Sequence, residues 1–139
     1  MSGIESKITA LNTLVLTGLC AGAFFILSMP KAPVPPPDDS WFNMAVIGRA
    51  EPVLVKFGAN WCGPCRMMEG ELDRFARQSG SRVAVVRVDV DRRPELAQHY
   101  GVSSIPRLLL FSHGQVVADR VGYADHDQLG TWVASNLRD

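Results

Sequence analysis

The chain has 139 residues, enough for one domain of roughly 100 residues and an appendage. Fourteen basic and fourteen acidic residues balance to zero and are scattered, which leaves no electrostatic basis for nucleic-acid binding. Three cysteines, Cys20, Cys62 and Cys65, are too few for a disulfide-stapled scaffold.

After a short flank, 1–7, residues 8–29 (ITALNTLVLTGLCAGAFFILSM) run without a charge between Lys7 and Lys31. That is about the ~20 residues a helix needs to cross a bilayer, and it predicts a membrane anchor. A cleaved signal peptide is the rival, with Ala21-Gly22-Ala23 as its best site. A cut there would leave FFILSM at the new terminus. A lipoprotein site before Cys20 would need a small residue where Leu19 stands. Gly18 and Gly22 make a GxxxG, a spacing that lets two such helices approach and pair weakly. Residues 30–39 (PKAPVPPPDD) hold five prolines within eight positions, which excludes helix and central strand. They predict a polyproline linker, a semi-rigid spacer of about 25 Å at ~3.1 Å per residue.

The folded part is expected over 40–139. Asp39 or Ser40 caps a short helix through Trp41, Phe42, Ala45, Val46 and Ile47. Residues 52–57 form an apolar run, as in a strand buried on both faces, yet Lys56 interrupts it. A helix follows from Gly63 to about Ser79, with Met67, Met68, Leu72 and Phe75 at helical steps on its core face. Residues 82–89 (RVAVVRVD) read as a second strand. Asp91 is the expected cap of a helix with Pro94 near its start and Gly101 at its end. Residues 107–111 and 115–121 form a hairpin through Ser112-His113-Gly114. Asp125-x-x-Gln128 resembles a capping box before a last helix burying Leu129, Trp132, Val133 and Leu137. Helices between the early strands imply parallel pairing and the hairpin adds an antiparallel edge. The class is α/β, a mixed central sheet with helices on both faces.

Cys62 and Cys65 admit four readings. Zinc needs more ligands, and His99, His113 and His126 are dispersed, so no metal site is expected. Haem attachment needs a histidine at position 66, which is Arg66. A structural disulfide would close too small a loop to remove much chain entropy. A redox dithiol needs one cysteine at a helix N-terminus, a second one turn on, and a stiff connection. The strand-to-helix position of Cys62 and the Gly63-Pro64 turn meet those needs.

Trp61-Cys62-Gly63-Pro64-Cys65 resembles the active-site motif of thioredoxins. The likeness covers about residues 40–137: the strand before the motif, Ile105-Pro106 before an apolar strand, and turn glycines Gly114 and Gly122. It implies the thioredoxin fold, here preceded by one transmembrane helix. It implies a thiol–disulfide oxidoreductase with a redox-active Cys62–Cys65 pair, Cys62 attacking and Cys65 resolving. By the same resemblance Trp61 shields the site and Pro106 is cis. Ile105, Trp61 and Gly122 border an apolar substrate groove. Arg107, next along the chain, is expected to favour acidic segments or to be an ordinary solvated arginine. The implied partners are disulfide-containing proteins and an upstream thiol reductant, with no cofactor. A disulfide-inserting oxidant and a non-catalytic tethered binding module remain as alternatives. The usual export of a domain that follows a single N-terminal anchor places it outside the cytoplasm.

Four positions depart from the family pattern. The first strand is replaced by the proline stretch, Gly58 stands where an aromatic is usual, and Gly70 replaces a proline. Lys56 stands where thioredoxins bury an aspartate beneath the second cysteine. The expectation is that its ammonium stabilises the Cys65 thiolate; the alternative is that it snorkels outward or pairs with Glu69.

Overall fold

The computed structural model describes residues 33–137. The expected anchor 8–29, its flank, Cys20 and the GxxxG lie outside them. No helix among the described residues is long and apolar enough to cross a membrane.

The chain enters along residues 33–39, which lie against the domain from Pro35 on. Pro37 is buried. Its carbonyl accepts from Asn43 Nδ2 at 3.0 Å, and the Pro35 carbonyl lies 2.8 Å from His99 Nε2. This half of the proline stretch is therefore seated on the fold, because the polyproline backbone leaves its carbonyls free to accept. Asp39 then caps helix α1 (Ser40–Phe42), accepting from the Phe42 N–H at 2.8 Å, and α1 runs on into a π-helical turn, Asn43–Ile47. Arg93 pairs with Asp39 and lies 4.2 Å over the Trp41 ring.

Strand β1 (Val53–Gly58) is buried along its whole length. It leads to helix α2 (Gly63–Ser79), a 3₁₀ turn (Gly80–Arg82), strand β2 (Ala84–Asp89) and helix α3 (Pro94–His99). The hairpin β3 (Arg107–Ser112) and β4 (Gln115–Val121) and helix α4 (His126–Asn136) complete the fold. The sheet order is β2-β1-β3-β4, with β1 parallel to β2 and antiparallel to β3. His113 and Gly114 have φ of 50° and 73°, the left-handed pair a two-residue hairpin turn requires. A Cβ on Gly114 would stand 3.0 Å from the Ile47 carbonyl oxygen, so the hairpin tip is pressed on the end of the first helix.

Period-two alternation splits β1 between two cores. Val53, Val55 and Phe57 join Phe42, Val46, Val88, Leu96, Leu109 and Phe111 on one face. Leu54 joins Met68, Leu72, Phe75, Leu108, Leu110, Leu129 and Val133 on the other, under α2 and α4. Trp132 and Leu137 only partly bury against that second core.

Two expectations are corrected. Met67 is 67% exposed while Met68 is fully buried. At 100° per residue the face holding Cys65, Met68, Leu72 and Phe75 turns position 67 outward. Asp91 does not cap α3: Arg93 occupies that position without a side-chain cap, and Asp91 is engaged elsewhere.

Candidate active site

The first turn of α2 builds the dithiol. Cys62 has extended backbone and is the N-cap of the helix, Pro64 occupies its first turn, and the Cys62 sulfur accepts from the Cys65 N–H at 3.2 Å. A cysteine thus takes the role usually filled by Ser or Asp, and a thiolate at that point meets the free N–H groups of the helix end. The two cysteines are joined as a disulfide, with Cα atoms 5.2 Å apart. Cys62 is 6% exposed and Cys65 1%.

The residues that face the dithiol come from later in the chain. Ile105-Pro106 is cis, and Cys62 Sγ stands 4.0 Å from the Ile105 carbonyl oxygen. The Gly122 N–H donates to the Pro106 carbonyl at 2.9 Å, tying the end of β4 to the start of β3. Val121 and Tyr123, which flank Gly122, and Trp61 are exposed apolar side chains. The Trp61 indole N–H donates to Asp91 Oδ2 at 2.8 Å, and Asp89 in turn accepts from the Asp91 N–H at 2.9 Å. Asp91 is the site residue that sequence reasoning missed. Its carboxylate looked like a helix cap, and only tertiary placement shows that it orients the indole.

Beneath Cys65 lies the lysine. Leu54, Lys56 and Gly58 share the α2 face of β1, and Lys56 is 6% exposed. Its ammonium pairs with Glu69 on α2. The second Glu69 oxygen accepts from Arg87 Nε at 2.6 Å, and Arg87 also reaches Asp73 at 2.6 Å. Burial alone would raise the Glu69 carboxyl, but hydrogen bonds from Lys56 and Arg87 outweigh it and hold the group below its usual value. A Cβ placed on Gly58 would stand 2.9 Å from Lys56 Cε, 3.0 Å from its Nζ and 3.1 Å from Cys65 Sγ. Amine and sulfur therefore flank one vacant methyl position. Of the two expected fates of Lys56, the structure shows the pairing with Glu69, in a conformation that leaves the amine on the same side of the strand as the sulfur. A cavity of about 260 Å³ opens beside them, bordered also by Arg66 and Asp89.

Arg107 is engaged within the sheet. Its guanidinium grips Asp119 of β4 through both nitrogens, with Nε donating at 2.6 Å, and its side chain is only 18% exposed.

The thioredoxin family model matches residues 34–135. The chain is 42% identical over 100 residues to a thioredoxin of Alicyclobacillus acidocaldarius subsp. acidocaldarius, covering 72% of this chain and 94% of that protein. It is 45% identical over 99 residues to thioredoxin 1 of Nostoc sp., covering 71% and 92%. To a thioredoxin of Haemophilus influenzae it is 37% identical over 100 residues, covering 72% and 94%. With a mixed four-stranded sheet flanked by helices and a CxxC pair at a helix N-terminus, the chain belongs to the thioredoxin family and is a thiol–disulfide oxidoreductase.

Proposed function

We propose that this enzyme is a membrane-tethered reductase of protein disulfides, with Cys62 as nucleophile and Cys65 as resolving thiol. The observation that carries the assignment is the Cys65 N–H aimed at Cys62 Sγ, which favours charge on that sulfur. The Cys62 thiolate attacks one sulfur of a substrate disulfide, and the other leaves as a thiolate. Cys65, deprotonated, then attacks Cys62 Sγ and releases the second substrate sulfur. The substrate gains two electrons, the enzyme ends as the Cys62–Cys65 disulfide, and an upstream thiol reductant restores it. Trp61, Ile105, Pro106 and Gly122 border the groove that receives an extended substrate segment, with Gly63 and Pro64 fixing the cysteine spacing. The Gly-Pro pair between the cysteines supports the reducing direction, by resemblance to the family's reductants.

The tether is read from the 22 uncharged residues 8–29. Its extracytoplasmic orientation follows the usual export behind one N-terminal anchor, since Lys7 and Lys31 leave the flanks nearly even. The GxxxG supports weak pairing of anchors. No cofactor enters the cycle. The Arg107 guanidinium is already paired with Asp119, so selection of acidic segments is not carried forward.

With Cys65→Ser, a mixed disulfide through Cys62 should accumulate on a disulfide protein substrate. Trapping that survives loss of Cys62 would reverse the two roles. A reporter fused after Asp139 reads the topology, and a cytoplasmic signal sinks the export reading. A second function, net disulfide insertion, is favoured by the cation beside Cys65, which stabilises the reduced pair. The measured reduction potential separates it from reduction.

A further inference from the structure

On the dithiol mechanism above, we infer that Gly58 and Glu69 are positioning residues that hold the Lys56 ammonium against the buried Cys65 sulfur, so that a fixed cation stabilises the resolving thiolate. Cys65 and Glu69 are four residues apart on α2 and stack on one helix face, above the β1 face that presents Lys56 and Gly58. Glu69 anchors the amine from one side, and Arg87 on its second oxygen keeps the carboxylate from turning away. Gly58 supplies the space. Any side chain there would begin 2.9 Å from Lys56 Cε and 3.1 Å from Cys65 Sγ, closer than ordinary contact, and the flexible lysine end is what would move. The other charged groups around the cavity are engaged or more distant in kind. Arg66 donates to the Asn60 carbonyl at 3.1 Å, Asp89 accepts from the Asp91 N–H and lies 3.9 Å from Arg92, and Asp73 is taken by Arg87.

Glu69 is not a base for Cys65. An ordinary thiol titrates near pH 8.5 and an ordinary glutamate near 4.3. Two cations hold Glu69 lower still, so proton transfer through Lys56 to Glu69 is disfavoured by more than about 10⁴. The Cys65 proton leaves to solvent through the cavity instead. The thiolate, held by the ammonium, attacks Cys62 Sγ as the Cys62–substrate bond breaks, and the departing substrate thiolate takes a proton from solvent. Lys56 and Glu69 end the step unchanged.

The test compares wild type, Lys56→Ala, Gly58→Ala, Glu69→Gln and the double variant Lys56→Ala/Gly58→Ala. Thiolate absorbance is followed between about pH 6 and 10, together with equilibration against glutathione. Lys56→Ala should raise the titration of the buried Cys65 thiol. It should also shift the equilibrium toward the protein disulfide about tenfold above that pH, or ~30 mV more negative for a two-electron couple. The gap should open as pH rises through the wild-type thiol value and be absent below it, which a merely structural role would not produce. Gly58→Ala should reproduce most of the shift in the presence of Lys56 and add little in its absence. Glu69→Gln should shift the same way by less. Superimposable titrations across these proteins overturn the inference while leaving the dithiol mechanism intact, as does an equal Gly58→Ala shift in both backgrounds, since the methyl would then act on sulfur directly. A wild type that does not exchange with glutathione at all instead sinks the mechanism. The double variant and Glu69→Gln, which relieve or avoid the clash, keep the test open if Gly58→Ala alone unfolds.

Discussion

On one face of the sheet Phe42, Tyr100 and Phe111 pack ring against ring, with centroids 5.4–5.7 Å apart, and Phe57 joins them at 6.1 Å from Tyr100. On the other face the same strand β1 presents Leu54, then a lysine, then no side chain at all. The strand alternates between them residue by residue, so stability and chemistry share a backbone without sharing side chains. The aromatic face can be dense because nothing there has to react. The α2 face holds a buried charge near Cys65, and Glu69, itself held by Arg87, supplies the pairing such a charge needs.

The sharpest way to break this division is to hollow out the aromatic face. Phe111→Ala should cost about 3–5 kcal/mol in urea unfolding. The glutathione equilibrium of the folded variant should match wild type; a shifted equilibrium would mean the two faces are coupled. A smaller effect is expected at the rim of the site. Asp91→Ala removes one exposed hydrogen bond to the Trp61 indole, whose effect on stability should be small. It should raise KM for a disulfide substrate more than it lowers kcat, and an unchanged KM would show that indole orientation is immaterial. Lys56→Met should alter stability by no more than about 1 kcal/mol in either direction, since Glu69 keeps Arg87 and its access to solvent. A loss comparable to that of Phe111→Ala would make Lys56 a structural residue first.

The faces should also differ in their response to pH. On the α2 side His126 donates to Glu71 through its backbone N–H at 3.0 Å and meets it again through Nδ1 at 2.6 Å, joining α2 to α4. The hydrogen bond from the His126 ring, then that from its backbone, hold the Glu71 carboxyl below its usual value. A depressed carboxyl contributes stability above the unfolded value, which is lost as pH falls through the folded one. Glu71→Gln should flatten the acid limb of a stability profile; an unaltered limb would rule out the clamp. On the aromatic side burial pushes the Tyr100 phenol up from 10.0 to about 12. That contribution is complete below pH 10.0 and is lost as pH rises toward about 12. Tyr100→Phe should flatten the alkaline limb alone. The smallest effect is expected at Arg107. Arg107→Thr should leave the ratio of rates on acidic and basic disulfide peptides unchanged at low and high salt. A selective loss on acidic peptides at low salt would show that the guanidinium leaves Asp119 for substrate.

Most of the architecture was legible because its signals are local. The β-branched runs, the N-cap at Asp125, the hairpin glycine and the strand–WCGPC–helix junction each specify their own neighbourhood. What escaped was set by tertiary placement. Asp91 has the right identity and spacing for a helix cap, yet its carboxylate goes to an indole thirty positions back in the chain. Met67 fits a loose helical pattern, and only the true phase of α2 turns it outward. The second half of the proline stretch carries no sequence sign that Asn43 and His99 await its carbonyls. At Lys56 the sequence posed two exclusive fates. The structure shows the pairing with Glu69, and only the geometry at Gly58 reveals that this rotamer also leaves the amine near the sulfur.

The open space at Gly58 makes two positions of β1 one unit of substitution. A Cβ at 58 would press on the end of the Lys56 side chain, so what position 58 tolerates depends on what stands at 56. With lysine at 56, a methyl at 58 pushes the amine aside; with a shorter residue there, the same methyl meets chiefly the Cys65 sulfur. The effect of a change at either position is conditional on the other.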